Sequence, residues 1–164
     1  MNQTKNLFKK AKWWSGVVGR LPFVKEIFVT GSVATGRADK KSDIDLLIVC
    51  PRGRLWTTRL FVVGWLKLVN QYRRPNKTAG RFCPNYWLAG NHQPTIHTID
   101  IRQRKIIYRR RGKTWLERIF SSRLGDWLEK TAKKWQIGKI TQNGQRGWPS
   151  GKIKISDKEV YFHY

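Results

Sequence analysis

Acid is scarce in this chain. Of 164 residues only 10 are Asp or Glu, against 34 Lys or Arg, which sets the formal net charge at +24. Between Asp45 and Asp100 there is no acidic residue, while eight Lys or Arg fill the interval. Such an excess favours a polyanionic partner, because each contact with one releases counterions. Nucleic acid, RNA or DNA, is the leading partner. An anionic membrane surface is the weaker one, and a merely solvated basic surface is the bland reading.

Cysteine is scarce as well. Cys50 and Cys83 make no disulfide framework, and neither has a CxxC partner or a nearby His, which argues against a zinc site. Both border apolar runs and read as buried thiols. Long apolar runs are missing too. The longest, residues 60–66, falls far short of the ~20 residues that span a bilayer, and the first 20 residues lack the apolar stretch of a signal peptide. We expect no membrane span and a soluble, reducing, cytoplasmic setting. Hydrophobic residues nonetheless make up 40 % of the chain, with 9 Trp, so there is material for a core and full disorder is excluded. The length suits one domain, with room for a small appendage.

Apolar spacing predicts a helix over 3–18, with Phe8, Ala11, Trp14 and Val18 near one face. Residues 21–29 read as a strand stopped by Gly31. A short helical turn follows over 32–36 with Ser32 as its cap, and residues 43–50 form a second strand ended by Pro51 and Gly53. Residues 55–72 are apolar nearly all round and predict a buried helix. "FCPNYWL" reads as a short third strand in which Pro84 should lie at an edge or near the strand start. β-Branched residues over 95–113 favour a strand, while Ile99, Gln103 and Ile106 also fit a helical face. Residues 115–135 predict an amphipathic helix built on Trp115, Ile119, Trp127, Leu128 and Trp135, and the tail predicts a hairpin turning at Ser156-Asp157. We expect a core over 1–112 and a C-terminal helix-and-hairpin extension over 113–164.

Against this background Asp43 and Asp45 stand out at the head of an apolar strand. Side chains alternate on a strand, so both carboxylates share a face while Ile44 and Leu46 point into the core. Two carboxylates at this spacing repel unless a cation sits between them, and hard divalent cations prefer oxygen donors together with substrate phosphates. The Gly31-Ser32 turn allows close backbone approach and offers N–H groups to a phosphate chain. Together they predict a triphosphate-and-metal site. Capping acids at a strand-start turn are the plain alternative.

"GSVATGRADKKSDIDLLI" resembles the signature of the nucleotidyltransferase superfamily that includes DNA polymerase beta: Gly-Ser, a gap, then Asp-x-Asp between apolar residues. The rest of the chain resembles uncharacterised small bacterial proteins carrying this domain. The resemblance implies an α/β (α+β) minimal nucleotidyltransferase fold, a short mixed sheet with flanking helices. It implies that Asp43 and Asp45 hold Mg²⁺ or Mn²⁺, that Ser32 bonds the NTP phosphates, and that Arg37, Lys40 or Lys41 neutralise pyrophosphate. It also implies a third carboxylate on the strand after the long helix. That strand candidate offers Asn85 and no acid, so Asp100 is the expected third catalytic and metal-binding residue, with Asn85 as the alternative. Arg109, Arg110 and Arg111 are the expected nucleic-acid contacts.

The expected function is Mg²⁺-dependent transfer of an NMP from an NTP to a hydroxyl at a nucleic-acid end. Two rivals stand beside it: an AMPylating, antitoxin-like enzyme that modifies protein hydroxyls, and a binding module with a decayed metal site.

Overall fold

The computed structural model describes residues 3–95, 99–145 and 153–162. Its elements run α1 (Gln3–Val18), β1 (Glu26–Val29), α2 (Gly31–Thr35), β2 (Ile44–Cys50), α3 (Leu55–Leu68) and β3 (Phe82–Ala89). They continue with α4 (Ile99–Arg102), β4 (Lys105–Arg109), α5 (Trp115–Ile119), α6 (Arg123–Gln145), β5 (Ile153–Ile155) and β6 (Glu159–Phe162). The strands form one mixed sheet in the order β4-β1-β2-β3-β6-β5. Among the described strands β2 and β3 are the one parallel pair, joined by the crossover helix α3. This is the mixed α/β architecture expected of a minimal nucleotidyltransferase. The C-terminal hairpin turns where the sequence placed it, and β6 pairs with β3, so the tail extends the core's sheet.

One face of the sheet is covered. Ile27, Val29, Leu46, Ile48, Cys50, Trp87 and Val160 are all buried there, in a single cluster with Ala11 of α1, Trp56 and Val62 of α3 and Ala132 of α6. The other face carries a smaller cluster, Leu47, Tyr86, Leu88 and Tyr161 with Ile101 of α4.

One expectation is met and two need correction. Ser32 lies inside α2; the cap position is Thr30, which makes no side-chain capping bond. Pro84 lies near the strand start as expected, the third residue of the interior strand β3. The β2–β3 register slips there, from Asp45↔Cys83 to Leu47↔Tyr86, and β6 reaches only Tyr86–Leu88, so the missing N–H falls where no ladder bond is needed.

The second correction is that the predicted 115–135 helix is broken into α5 and α6, with much of its apolar stripe facing outward. Trp115, Trp127 and Trp135 are 69, 62 and 51 % exposed. At the break, a Cβ on Gly125 would lie 1.7 Å from Phe120 O, so only glycine fits. The face of α6 that packs inward is chosen by α3. Glu129 accepts from Trp56 N at 2.9 Å and from Thr57 N at 2.8 Å, capping α3 from a distance, and Gln136 Nε2 donates to Trp56 O at 2.8 Å. A helix start with no local cap is thus satisfied by an acid 72 or 73 residues away.

Candidate active site

β1 and β2 are antiparallel neighbours, so the turn leaving β1 and the residues entering β2 meet at one end of the sheet. Thr30 N donates to Asp45 O at 3.0 Å and ties them together. Gly31 has φ +63°, and a Cβ there would lie 2.3 Å from Asp45 Oδ2. Glycine is needed on both counts, since any other residue is strained at that φ and collides with the carboxylate. The Gly-Ser turn and the Asp-x-Asp head are one packed unit.

Asp45 sits beside Cys83 of β3 in the sheet register, and ligand atoms of Asp43, Asp45 and Cys83 lie within 4.8 Å of one another. Asn85 Nδ2 donates to Asp45 Oδ1 at 2.9 Å. Two buried oxygens in this group, Asp43 Oδ2 and Asn85 Oδ1, make no hydrogen bond. Arg73 Nε lies 3.2 Å from Asp43 Oδ2, too far out of line for a hydrogen bond and so a charge contact only. Burial pushes the Asp43 carboxyl above its usual range, with Arg73 pulling back against it. Burial, with Asp45 and Asp43 nearby, holds the Cys83 thiol well above its ordinary value. A thiol is in addition a soft donor, poorly matched to a hard divalent cation. The remaining donors are oxygens: Asn85 Oδ1 is buried without a hydrogen bond, and Asp43 Oδ2 faces the Arg73 charge without one, so both keep lone pairs for an occupant. Asp43, Asp45 and Asn85 fit a hard divalent cation.

Ser32 is the second residue of α2 and half-buried. Arg37 follows it on the surface, its Nε donating to Thr35 Oγ1 at 3.2 Å. Lys40 and Lys41 are exposed in the turn between α2 and β2, which Asp39 clamps by accepting from Ser42 Oγ at 2.7 Å and Lys41 N at 2.9 Å. These residues border the carboxylate end.

Asp100 lies on the short helix α4 beside α2, not on a strand next to β2, and its carboxylate lies outside the described residues. The strand that flanks β2 after α3 is β3, and Asn85 is its residue bonded to Asp45. Nor are Arg109, Arg110 and Arg111 brought to the carboxylates. Arg109 pairs with Glu26, at the end of β1 opposite Gly31, with Nε to Oε1 at 2.7 Å. Arg110 is tied to the buried Glu117, while Arg111 is exposed.

Cys83 is buried as expected, but neither its place beside the carboxylates nor that of Arg73 shows in the sequence. Arg73 is one cation among 34, in a loop with no pattern of its own. Only the pairing of β2 with β3 brings it to Asp43, its N–H bonded to Phe82 O at 2.9 Å.

No curated protein and no solved structure matches the chain. The family of nucleotidyltransferase domains matches residues 11–134, more than half of the chain and a span that holds Gly31, Asp43, Asp45 and Asn85. With the Gly-Ser turn packed against Asp45 of the Asp-x-Asp pair, that match establishes that the chain belongs to the nucleotidyltransferase domain family and is a transferase.

Proposed function

We propose that the chain transfers an NMP from an NTP to a hydroxyl at a nucleic-acid end, with Mg²⁺ or Mn²⁺ held by Asp43, Asp45 and Asn85. One observation carries this reading: Asp43 Oδ2 and Asn85 Oδ1 are buried beside Asp45 with no hydrogen bond of their own. The cation, when bound, supplies positive charge to the attacking and leaving oxygens.

The chain's own residues do the rest. Gly31 lets the backbone come close to the triphosphate, and Ser32 donates a hydrogen bond to it. Arg37 and Lys41 face the pyrophosphate as its bond to the α-phosphorus breaks and the acceptor oxygen's bond forms. Asn85 cannot take a proton, so the acceptor's proton passes to a β2 carboxylate. Arg73 offsets the charge of Asp43 and fixes its position. The +24 charge supports a polyanionic acceptor.

Asn85 in place of a third acid also favours a second reading, a nucleic-acid-binding module with weakened catalysis. Incubation with each α-labelled NTP, Mg²⁺ and RNA, DNA or protein acceptors decides. We expect label at nucleic-acid ends, lost in Asp45→Asn. Label on protein alone would favour the protein-modifying rival. No label on any acceptor, with wild type and Asp45→Asn binding nucleic acid equally, would favour the binding module.

A further inference from the structure

The open face of the sheet continues past the carboxylates. Leu47 and Val49 follow Asp45 on it by strand alternation, with Leu47 about 7 Å further along. Phe28 and Tyr86 flank Leu47, and Glu26 and Leu88 flank Val49. Over these rows opens a cleft of about 550 Å³, floored by Phe28, Leu47 and Leu88 and rimmed by Lys25, Arg104 and Arg109. Its size is that of a small-molecule site.

We infer that this cleft binds a nucleoside phosphate unit of the acceptor, base on the apolar floor and phosphate on the basic rim. The inference rests on the transferase reading of the neighbouring carboxylates. Charge selects the ligand's sign. Among the described lining residues Glu26 is the one acid, already paired with Arg109, and Arg110 is held by Glu117, which leaves Lys25 and Arg104 to face a ligand. The floor selects a flat apolar group. Arg104 stands over the half-buried Phe28 ring, 5.6 Å from its centroid, a cation–aromatic pair on which a base can stack. Position gives the role. The cleft shares its sheet face with Asp45: its apolar floor begins at Leu47, one alternation step beyond, and its basic rim of Lys25 and Arg109 lies at the far end of β1, so an acceptor strand seated there lies along the same face as the carboxylates. A strand terminus and a free mononucleotide share this chemistry.

Fluorescence anisotropy with a short labelled single strand, without NTP or metal, tests the inference. Wild type is compared with Arg104→Glu, Arg104→Gln and Phe28→Leu, with Lys134→Glu on the exposed side of α6 as a basic-surface control. Arg104→Glu should weaken binding about tenfold and lower the salt slope by about 1. Arg104→Gln should give a smaller loss, and Phe28→Leu about fivefold. Lys134→Glu should change little. Competition by AMP would identify a free nucleotide as a ligand, and binding of the strand without AMP competition would identify a strand end; either supports the cleft. Cleft variants that bind like wild type, or a wild type that binds neither probe, would overturn it. That failure is distinct from failure of the transferase reading, which is read by label transfer in Asp45→Asn.

Discussion

The two faces of the sheet use the same strands for different ends. On the helix-covered face every strand residue named above is apolar, from Ile27 to Val160. On the open face the rows mix apolar floor with charge: Asp45 on β2, Glu26 on β1, Arg109 on β4 and Glu159 on β6. The charges there differ in how completely they are hydrogen-bonded. Glu159, fully buried, is the fully partnered case. It accepts from Tyr86 Oη, from Thr95 N at 3.0 Å and from Thr95 Oγ1 at 2.6 Å, and pairs with Lys154 at 3.0 Å. Burial alone would raise its pKa, but the hydrogen bonds from Thr95, Tyr86 and Lys154 outweigh it and hold it at about 2. Asp43 is the opposite case, raised by burial and with Oδ2 outside any hydrogen bond. A satisfied buried acid is structural, and an unsatisfied one beside a second carboxylate marks the site.

Substitutions on the two faces should therefore separate stability from chemistry. Trp87→Ala on the covered face, where Trp87 is fully buried, should cost about 3–5 kcal/mol in denaturant unfolding. Gly31→Ala on the open face should leave most of that stability but cut label transfer about a hundredfold, because the new Cβ displaces Asp45. A stability loss in Gly31→Ala as large as that of Trp87→Ala would erase the distinction.

Glu159→Gln should cost about 2 kcal/mol at neutral pH through lost charge-assisted hydrogen bonds, with transfer by the remaining folded protein unchanged. The sign of its pH dependence follows from a depressed folded pKa. The stabilisation is complete above the ordinary value of 4.5 and is lost as pH falls toward about 2, so the mutant's unfolding should be flatter across that window than wild type's. Smallest is Asn85→Asp, which should raise transfer up to about tenfold by adding a proton acceptor and a charged ligand. No gain would remove Asn85 from the site.

Much of this was legible in sequence because it was local. The bounds of α1 follow from apolar spacing, and the closeness of Asp43 and Asp45 at the candidate site follows from their i, i+2 spacing. What was not legible depends on distant pairing. Periodicity cannot tell a stripe packed inward from one facing water, so Trp127 and Trp135 were read as core, while Glu129 and Gln136 select the buried face. The residue beside Asp45 depended on which strand follows α3 into the sheet, a question of register that placed Asn85 there and Asp100 on a helix. Arg73 had no local pattern among so many cations.

The central claim is that the β2 carboxylates form a metal–nucleotide site. Mn²⁺ binding in the presence of a non-hydrolysable NTP, followed by electron paramagnetic resonance, tests it without relying on turnover. Wild type should bind the ion, and Asp45→Asn, folded to the same degree, should lose at least about tenfold in affinity for it. Equal Mn²⁺ binding by the two proteins would contradict the account.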